Sequence, residues 1–131
     1  MTISNPAISD VDRKAIEQVA LDYIEGWYCG DAERMEGSLH PDLAKRIVFA
    51  DPRGFDRLEP ISAMGLVIAT RRGVGTRTPP ERQRKDITIL DVFGKAACVR
   101  VDAADWIDYL QLGKLNGQWQ IVNVLWERRA G

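Results

Sequence analysis

Asp108 is the residue of this sequence that is best placed to do chemistry. Counting outward from the predicted turns puts Asp108 on an otherwise apolar sheet face, near Asn123 and flanked by Trp106 and Leu110. A carboxylate there is either hydrogen-bonded or shifted toward its neutral form, because burying an unpaired charge is costly. The sequence therefore leaves two interpretations of Asp108. It is a general base or ligand partner at a pocket floor, or a structural group paired with Asn123, a backbone amide or an arginine.

His40 is the second candidate, as the single histidine of the chain. Histidine is the residue type whose charge changes most readily near neutral pH, so a His40–Asp108 acid–base pair is one hypothesis. His40 also precedes Pro41 at a predicted helix end, where capping the helix is the alternative role. Two aromatic residues of the first predicted helix, Tyr23 and Trp27, either line a pocket or belong to the core.

Other catalytic constellations are missing from the sequence. It contains no nucleophile–histidine–acid trio, phosphate-binding glycine loop or metal-ligand cluster, so we expect no metal and no cofactor. Cys29 and Cys98 lack metal-type spacing and are interpreted as reduced thiols of a cytoplasmic protein. Six basic residues between positions 71 and 85 either form a solvated loop or recognise an anionic ligand.

Length and composition indicate one ordinary globular domain. The chain has 131 residues, of which 45% are hydrophobic and 28% are charged. A net charge of −1 argues against nucleic acid and membrane surfaces as partners. The N-terminal stretch has neither a basic region nor a long apolar core, so it is not a signal peptide. We expect a disordered leader over 1–9 and a single domain over 10–131.

Helical periodicity dominates the first half of the chain. Apolar residues at spacings of three and four predict a helix over 10–28 capped by Asp10 or Asp12, then a short helix over 32–39 capped by Asp31. A strand over 43–50 and a turn over 51–54 follow. Pro60 suits the start of a third helix, which should end near Gly73.

The second half of the chain, over 86–128, predicts four antiparallel strands joined by tight turns. The turns are expected at Asn116-Gly117, Gly94-Lys95 and near Ala103-Ala104. Counting from them predicts the pairs Leu112–Ile121, Leu110–Asn123, Asp108–Leu125, Val92–Ala97, Leu90–Val99, Thr88–Val101 and Val101–Trp106. These registers agree on one apolar face: Leu90, Val92, Ala97, Val99, Val101, Trp106, Leu110, Leu112, Trp119, Ile121 and Leu125.

The opposite sheet face is also half apolar. Helices that pack on one face leave the other uncovered, and strand 121–126 is almost continuously apolar. A twofold dimer is the simplest cover for this face. Its predicted contact residues are Ile107, Tyr109, Val122, Val124 and Trp126.

Several segments carry a resemblance to a known superfamily. They are Tyr23-Ile24-Glu25-Gly26-Trp27, Gly30-Asp31, Leu39-His40-Pro41-Asp42-Leu43-Ala44-Lys45-Arg46, Ile89-Leu90-Asp91-Val92-Phe93-Gly94, Asp108-Tyr109-Leu110 and Asn116-Gly117-Gln118-Trp119-Gln120-Ile121-Val122-Asn123. The chain resembles the nuclear transport factor 2-like superfamily, and within it the "putative lumazine-binding" proteins related to SnoaL-like proteins. The resemblance implies a homodimer with a pocket between helices and concave sheet. It implies no reaction, because the superfamily holds isomerases, dehydratases, cyclases and binding modules.

The combined prediction is an α+β cone-shaped half-barrel, with a curved antiparallel sheet packed on three N-terminal helices. We expect a homodimer that binds a small apolar molecule, with neither nucleic acid nor membrane as partner. The expected pocket residues are Tyr23, Trp27, Met64, Trp106, Leu110 and Asn123. Two alternatives stay open: an acid–base lyase or isomerase with Asp108 as base, and a non-catalytic association module.

Overall fold

The computed structural model describes residues 8–130, and residues 1–7 of the predicted leader lie outside them. The first helix, α1, spans Asp10–Cys29 and begins at Ser9, whose side chain accepts a hydrogen bond from the Asp12 amide at 3.1 Å. Ser9 therefore supplies the cap that we predicted for Asp10 or Asp12. Gly30 ends α1 in the left-handed region at φ 68°.

Two shorter helices complete the helical layer. Helix α2 spans Ala32–Ser38 and is capped by Asp31 as predicted, with 3.1 Å from the Arg34 amide to its carboxylate. Helix α3 spans Ala63–Arg71 and is capped by Ser62 rather than started by Pro60. Two 3₁₀ turns, Val74–Arg77 and Pro80–Arg82, follow α3.

The sheet has six strands, and its curved, unclosed form on three helices confirms the predicted α+β architecture. The strands are β1 Leu39–Ala50, β2 Asp56–Ser62, β3 Lys85–Phe93, β4 Ala96–Ala103, β5 Trp106–Leu115 and β6 Gln118–Arg128. They lie in the order β2-β1-β6-β5-β4-β3, and only β1 and β6 pair in parallel. Strand β1 begins four residues before its predicted start, and β2 was not predicted.

The predicted two-residue turns are confirmed. Asn116 has φ 51° and Gly117 has φ 80°, so both occupy the left-handed region that this turn requires. Gly94 has φ 56°. The pairs next to these turns are also confirmed, because Leu112 lies opposite Ile121 and Val92 lies opposite Ala97.

Beyond these pairs, two β-bulges overturn the predicted registers. In β6 the bulge at Val122 puts Leu110 opposite Val124 and Asp108 opposite Trp126. One extra residue exchanges the two faces of everything that follows it. Val124 and Trp126 therefore belong to the helix-facing side of the sheet, and Asn123 and Leu125 belong to the outer side.

The second bulge lies in β3 at Leu90, between Ile89 opposite Val99 and Asp91 opposite Cys98. It turns Ile87 and Ile89 inward and leaves Leu90 51% exposed on the outer face. The reversal near Ala103 lies one residue later than predicted, so Val101 faces Asp108 instead of Trp106. The pairing partner of Val101 is therefore two positions away from the predicted one. Because side chains alternate with a period of two, the residues of β4 and β5 keep their predicted faces.

The core lies between the helices and the inner sheet face. Leu110, Leu112, Trp119 and Ile121 are all at most 4% exposed, which confirms their predicted common face. They pack in one cluster with the stripe of α1, which includes Ile16, Ala20 and Ile24. This layer of side chains fixes how α1 lies across the sheet.

Asp12 ties the start of α1 to the last hairpin and makes this contact sensitive to acid. Its carboxylate accepts hydrogen bonds from Trp119 Nε1 at 3.0 Å and Lys114 Nζ at 3.1 Å. These two bonds lower the pKa of Asp12 below its usual 3.8. A folded-state pKa below the unfolded value adds stability above the unfolded pKa, and that stability is lost as pH falls through the folded pKa.

We expect Asp12→Asn to lower the urea midpoint at pH 7, and the difference from wild type to shrink as pH is lowered toward 2. Asp10→Asn removes the same charge two residues earlier and is the matched control. Equal midpoints for wild type and Asp12→Asn at pH 7 would contradict this role for Asp12.

Candidate functional site

The candidate site is a cavity of about 240 Å³ between the helical layer and the inner sheet face. All three helices and strands β1, β2, β5 and β6 contribute to its wall. The lining residues are Tyr23, Ile24, Trp27, Met35, Lys45, Ile61, Leu66, Ala69, Val74, Trp106, Trp126 and Arg128. A wider groove of about 540 Å³ runs between α2 and α3, but its wall contains no buried charged group.

Three tryptophans make the cavity wall largely aromatic. Trp106 and Trp126 lie edge to face with ring centroids 6.3 Å apart. Trp27 is held from behind by Gly75, where an added Cβ would lie 2.2 Å from the Trp27 carbonyl oxygen. Any side chain at position 75 would therefore displace Trp27, and glycine is required there for close packing.

Lys45 is the buried charged group of the cavity wall. It lies between the inward residues Leu43 and Ile47 of β1 and is 8% exposed. Its Nζ donates a hydrogen bond to the Tyr23 hydroxyl at 2.6 Å. The same atom lies 5.1 Å from the Tyr23 ring centroid and 5.2 Å from that of Trp126, within cation–π range. Burial lowers the pKa of Lys45, and the negative charge of Asp108 opposes this shift.

Asp108 lies behind the cavity wall and does not line it. It is fully buried, and its Oδ2 accepts a hydrogen bond from Trp106 Nε1 at 2.7 Å. Its Oδ1 has no hydrogen-bond partner within residues 8–130. Burial raises the pKa of Asp108, while Lys45, Trp106 and Tyr23 act in the opposite direction.

Tyr23 completes a buried polar group that we call the Lys45–Tyr23–Asp108 cluster. Burial, followed by the neighbouring negative charge of Asp108, raises the pKa of the Tyr23 hydroxyl well above 10.0. Tyr23 therefore stays neutral and accepts from Lys45, and its own hydroxyl hydrogen is the one that can serve the Asp108 carboxylate. The cluster offers a cation and a hydroxyl to the cavity, with a carboxylate behind them.

The structure brings together only part of the predicted pocket. Tyr23, Trp27 and Trp106 line the cavity. Leu110 is 1% exposed in the core without lining it, and Met64 is 63% exposed on α3. Asn123 is exposed on the outer face, where it donates to Gln111 at 3.0 Å, because the Val122 bulge turns it away.

The predicted His40–Asp108 pair does not form. His40 lies in β1, where its Nδ1 accepts from the Asp42 amide at 3.0 Å. Its neighbour Leu39 pairs with Ile121, whereas Asp108 pairs with Trp126. These two pairing positions lie five residues apart on β6, which corresponds to roughly 16 Å along a strand.

Of the predicted dimer residues, only Ile107 and Tyr109 lie on the outer face as expected. Val122 is the bulge residue itself. Val124 is 2% exposed in the core and Trp126 lines the cavity. The assignment of these last two to a dimer surface was therefore wrong, for the same reason as for Asn123.

Lys45 and Arg128 are the charged residues of the site that the sequence analysis did not predict. The signal for Lys45 was the alternation Leu43, Lys45, Ile47, which places a lysine on the inward side of a half-buried strand. Arg128 lies over the Trp126 ring at 5.2 Å on the solvent side of the cavity.

Across positions 8–130, no three His, Cys, Asp or Glu side chains are grouped to hold a metal ion. No helix within those positions is long and apolar enough to cross a membrane.

Comparison with known proteins places the chain in a family. The model of the family described as "Putative lumazine-binding" matches residues 11–127. No curated protein matches the chain significantly.

Solved structures show the same fold. An NTF2-like protein of unknown function from Methylobacillus flagellatus KT is 23% identical, with a TM-score of 0.72 and coverage of 94% of this chain and 96% of that one. One from Shewanella baltica OS155 is 20% identical, with a TM-score of 0.71 and coverage of 95% and 100%. An NTF2-like protein with a cystatin-like fold from Novosphingobium aromaticivorans is 16% identical, with a TM-score of 0.67 and coverage of 92% and 84%. This chain thus has the fold of these NTF2-like proteins and belongs to the family described as "Putative lumazine-binding".

Proposed function

We propose that this protein binds a small, largely apolar molecule in the tryptophan-lined cavity. The observation that carries the proposal is an open cavity between helices and sheet, walled by Trp27, Trp106 and Trp126. Binding sites of soluble proteins are typically concave and aromatic, with a few polar groups that orient the ligand. The description of the family supports binding of a small molecule in general terms.

The cavity limits the size of the ligand. Its volume of about 240 Å³ lies below the ~300–1,000 Å³ of sites for drug-sized ligands. A molecule of one or two rings fits this space, and its flat face suits the three indole rings.

The lyase or isomerase alternative receives less support from the geometry. A general base must reach the proton that it removes, either directly or through one water. Asp108 is fully buried behind Trp106 and is not among the residues that line the cavity. The third alternative, a pure association module, needs no cavity at all, so the open cavity favours binding.

We also propose that the protein is a homodimer through its outer sheet face. Four apolar side chains on this face are 46–58% exposed: Leu58, Leu90, Tyr109 and Leu125. Leu125 and Tyr109 are directly paired across β5 and β6, and the four line one groove of about 460 Å³. A self-complementary face of this kind is buried most simply by a second copy around a twofold axis.

A cytoplasmic location is a further part of the proposal. Cys29 and Cys98 are free thiols, and Cys29 is exposed. Exposed free thiols persist in reducing compartments.

Filling the cavity tests the binding proposal. Ala69→Phe places a ring in the wall of the cavity, and we expect it to abolish binding of 2-naphthamide or 2-naphthoate while the fold survives. Isothermal titration calorimetry measures the affinity, and circular dichroism checks the fold. Met64→Phe, on the exposed side of the same helix, is the matched control and should bind as wild type does. Absence of binding by wild type for both probes at millimolar concentration would overturn the proposal.

A further inference from the structure

We infer that the ligand carries one anionic group, in the simplest case a carboxylate, which binds at Lys45 while its apolar body lies against the tryptophans. The inference rests on the proposed function, since it names the ligand class of the same cavity. It follows from the charges of the wall, the free hydrogen-bond donors of Lys45 and the groups that face it.

The charged residues of the cavity wall are all positive. Lys45 and Arg128 line it, and no aspartate or glutamate of residues 8–130 does. Arg128 is exposed and Lys45 lies deep, so an anion that enters meets a cation at the mouth and another inside. A neutral apolar ligand would form no charge-assisted contact with either cation.

The ammonium group of Lys45 has hydrogen-bond donors that are not used within residues 8–130. An ammonium group carries three N–H donors, and one of them goes to the Tyr23 hydroxyl at 2.6 Å. No other hydrogen bond and no salt bridge of Lys45 forms within residues 8–130. A carboxylate in the cavity can accept from Lys45 Nζ, and charge-assisted bonds of this kind are stronger than neutral ones.

None of the groups of residues 8–130 that face Lys45 forms a salt bridge with it. Tyr23 faces it from α1, Asp108 from β5, and Trp126 and Arg128 from β6. The wall contributed by β2 and α3 is apolar, with Ile61, Leu66 and Ala69. Among residues 8–130, Asp108 is the anion that acts on Lys45, and it accepts a hydrogen bond from Trp106 instead of forming a salt bridge with Lys45.

Binding of an anion should be coupled to proton uptake. The anion stabilises the charged form of Lys45, whose pKa burial lowers, and opposes ionisation of Asp108, whose pKa burial raises. Both effects favour the protonated forms in the complex. Affinity for the anion should therefore fall as pH rises through the pKa of Lys45, whereas affinity for a neutral isostere should change little.

The test compares 2-naphthoate with 2-naphthamide, which have the same shape and differ by one charge. In wild type at pH 7 we expect naphthoate to bind about 10- to 100-fold more tightly by titration calorimetry. Repeating both titrations at increasing pH should show the preference for naphthoate falling as pH rises through the pKa of Lys45, with little change for naphthamide. Lys45→Met should reduce the preference to near unity, and Arg128→Gln should preserve most of it.

Each outcome decides between the two proposals. Equal affinities, or tighter binding of naphthamide, would overturn the anion inference and leave the apolar binding proposal standing. A preference that survives in Lys45→Met would assign the anion to another residue and also overturn the inference. If Lys45→Met does not fold, the loss of preference at high pH in wild type decides. Lack of binding by either probe would overturn both proposals.

Discussion

Asp108→Ala should destabilise the protein by about 2–4 kcal/mol, measured as the loss in free energy of unfolding in urea at pH 7. The substitution leaves the indole N–H of Trp106 without the acceptor that now lies at 2.7 Å. It also opens a void in a fully buried position. The relief of a desolvated carboxylate offsets part of this cost.

Asp108→Asn is the matched control, because it keeps an acceptor for Trp106 and a similar volume. We expect its stability at pH 7 to equal or exceed that of wild type, since an amide costs less to bury than a carboxylate. The pKa of Asp108 is raised on folding, so the carboxyl group favours the folded state at low pH and loses that contribution as pH rises from the unfolded to the folded pKa. This part of the pH dependence should disappear in Asp108→Asn.

The same pair of variants also tests the position of Asp108 relative to the ligand. Because Asp108 lies behind Trp106, Asp108→Asn should leave the affinity for 2-naphthamide within about threefold of wild type. An Asp108→Ala protein as stable as wild type would show that the Trp106 hydrogen bond contributes nothing. A large loss of naphthamide affinity in Asp108→Asn would place the carboxyl group at the ligand after all.

Leu125→Glu should convert the homodimer that we propose to monomer. Leu125 is 48% exposed on the outer face next to Tyr109, so a carboxylate there would be buried twice in a twofold interface. An unpaired buried charge costs several kcal/mol, which exceeds what a small interface can tolerate. Light scattering at micromolar concentration should report half the wild-type mass. The circular dichroism spectrum should stay close to that of wild type, which shows that each subunit is still folded.

Two further substitutions act as controls for Leu125→Glu. Met64→Glu adds the same charge at an exposed apolar residue on the helical side and should leave the dimer intact. Trp126→Glu lies one residue further along β6 but in the cavity wall, so it should impair folding and ligand binding. A wild-type protein that is already monomeric at micromolar concentration would refute the dimer proposal.

Local chemistry made several elements predictable from the sequence. The turn at Asn116-Gly117 depends on two residues that accept positive φ, and that preference belongs to the residues themselves. The apolar stripe of α1 and the cap at Asp31 are equally local, because they depend on spacings of three and four and on one side chain. These features, with the order of helices and strands, were enough to predict the fold.

Strand β2 was missed because it lacks the pattern of a half-buried strand. Its residues are almost all exposed, and Pro60 within it indicated a helix start. Only pairing with β1 makes this segment a strand, and it is an edge strand, where proline is tolerated. No local preference of residues 56–62 encodes that pairing.

The sequence by itself determined the turns at Gly94-Lys95 and Asn116-Gly117, the presence of three helices, the α+β class and a buried Asp108. The tertiary structure decided which apolar residues of β6 face the helices, because Ile121, Val122, Val124, Leu125 and Trp126 are apolar on both sides and either register would satisfy the pattern. The bulge at Val122 is visible only in the pairing of β6 with β5, where one extra residue bends the strand and reverses the faces of the residues that follow. That one inserted residue moved Asn123 out of the site and brought Trp126 into it.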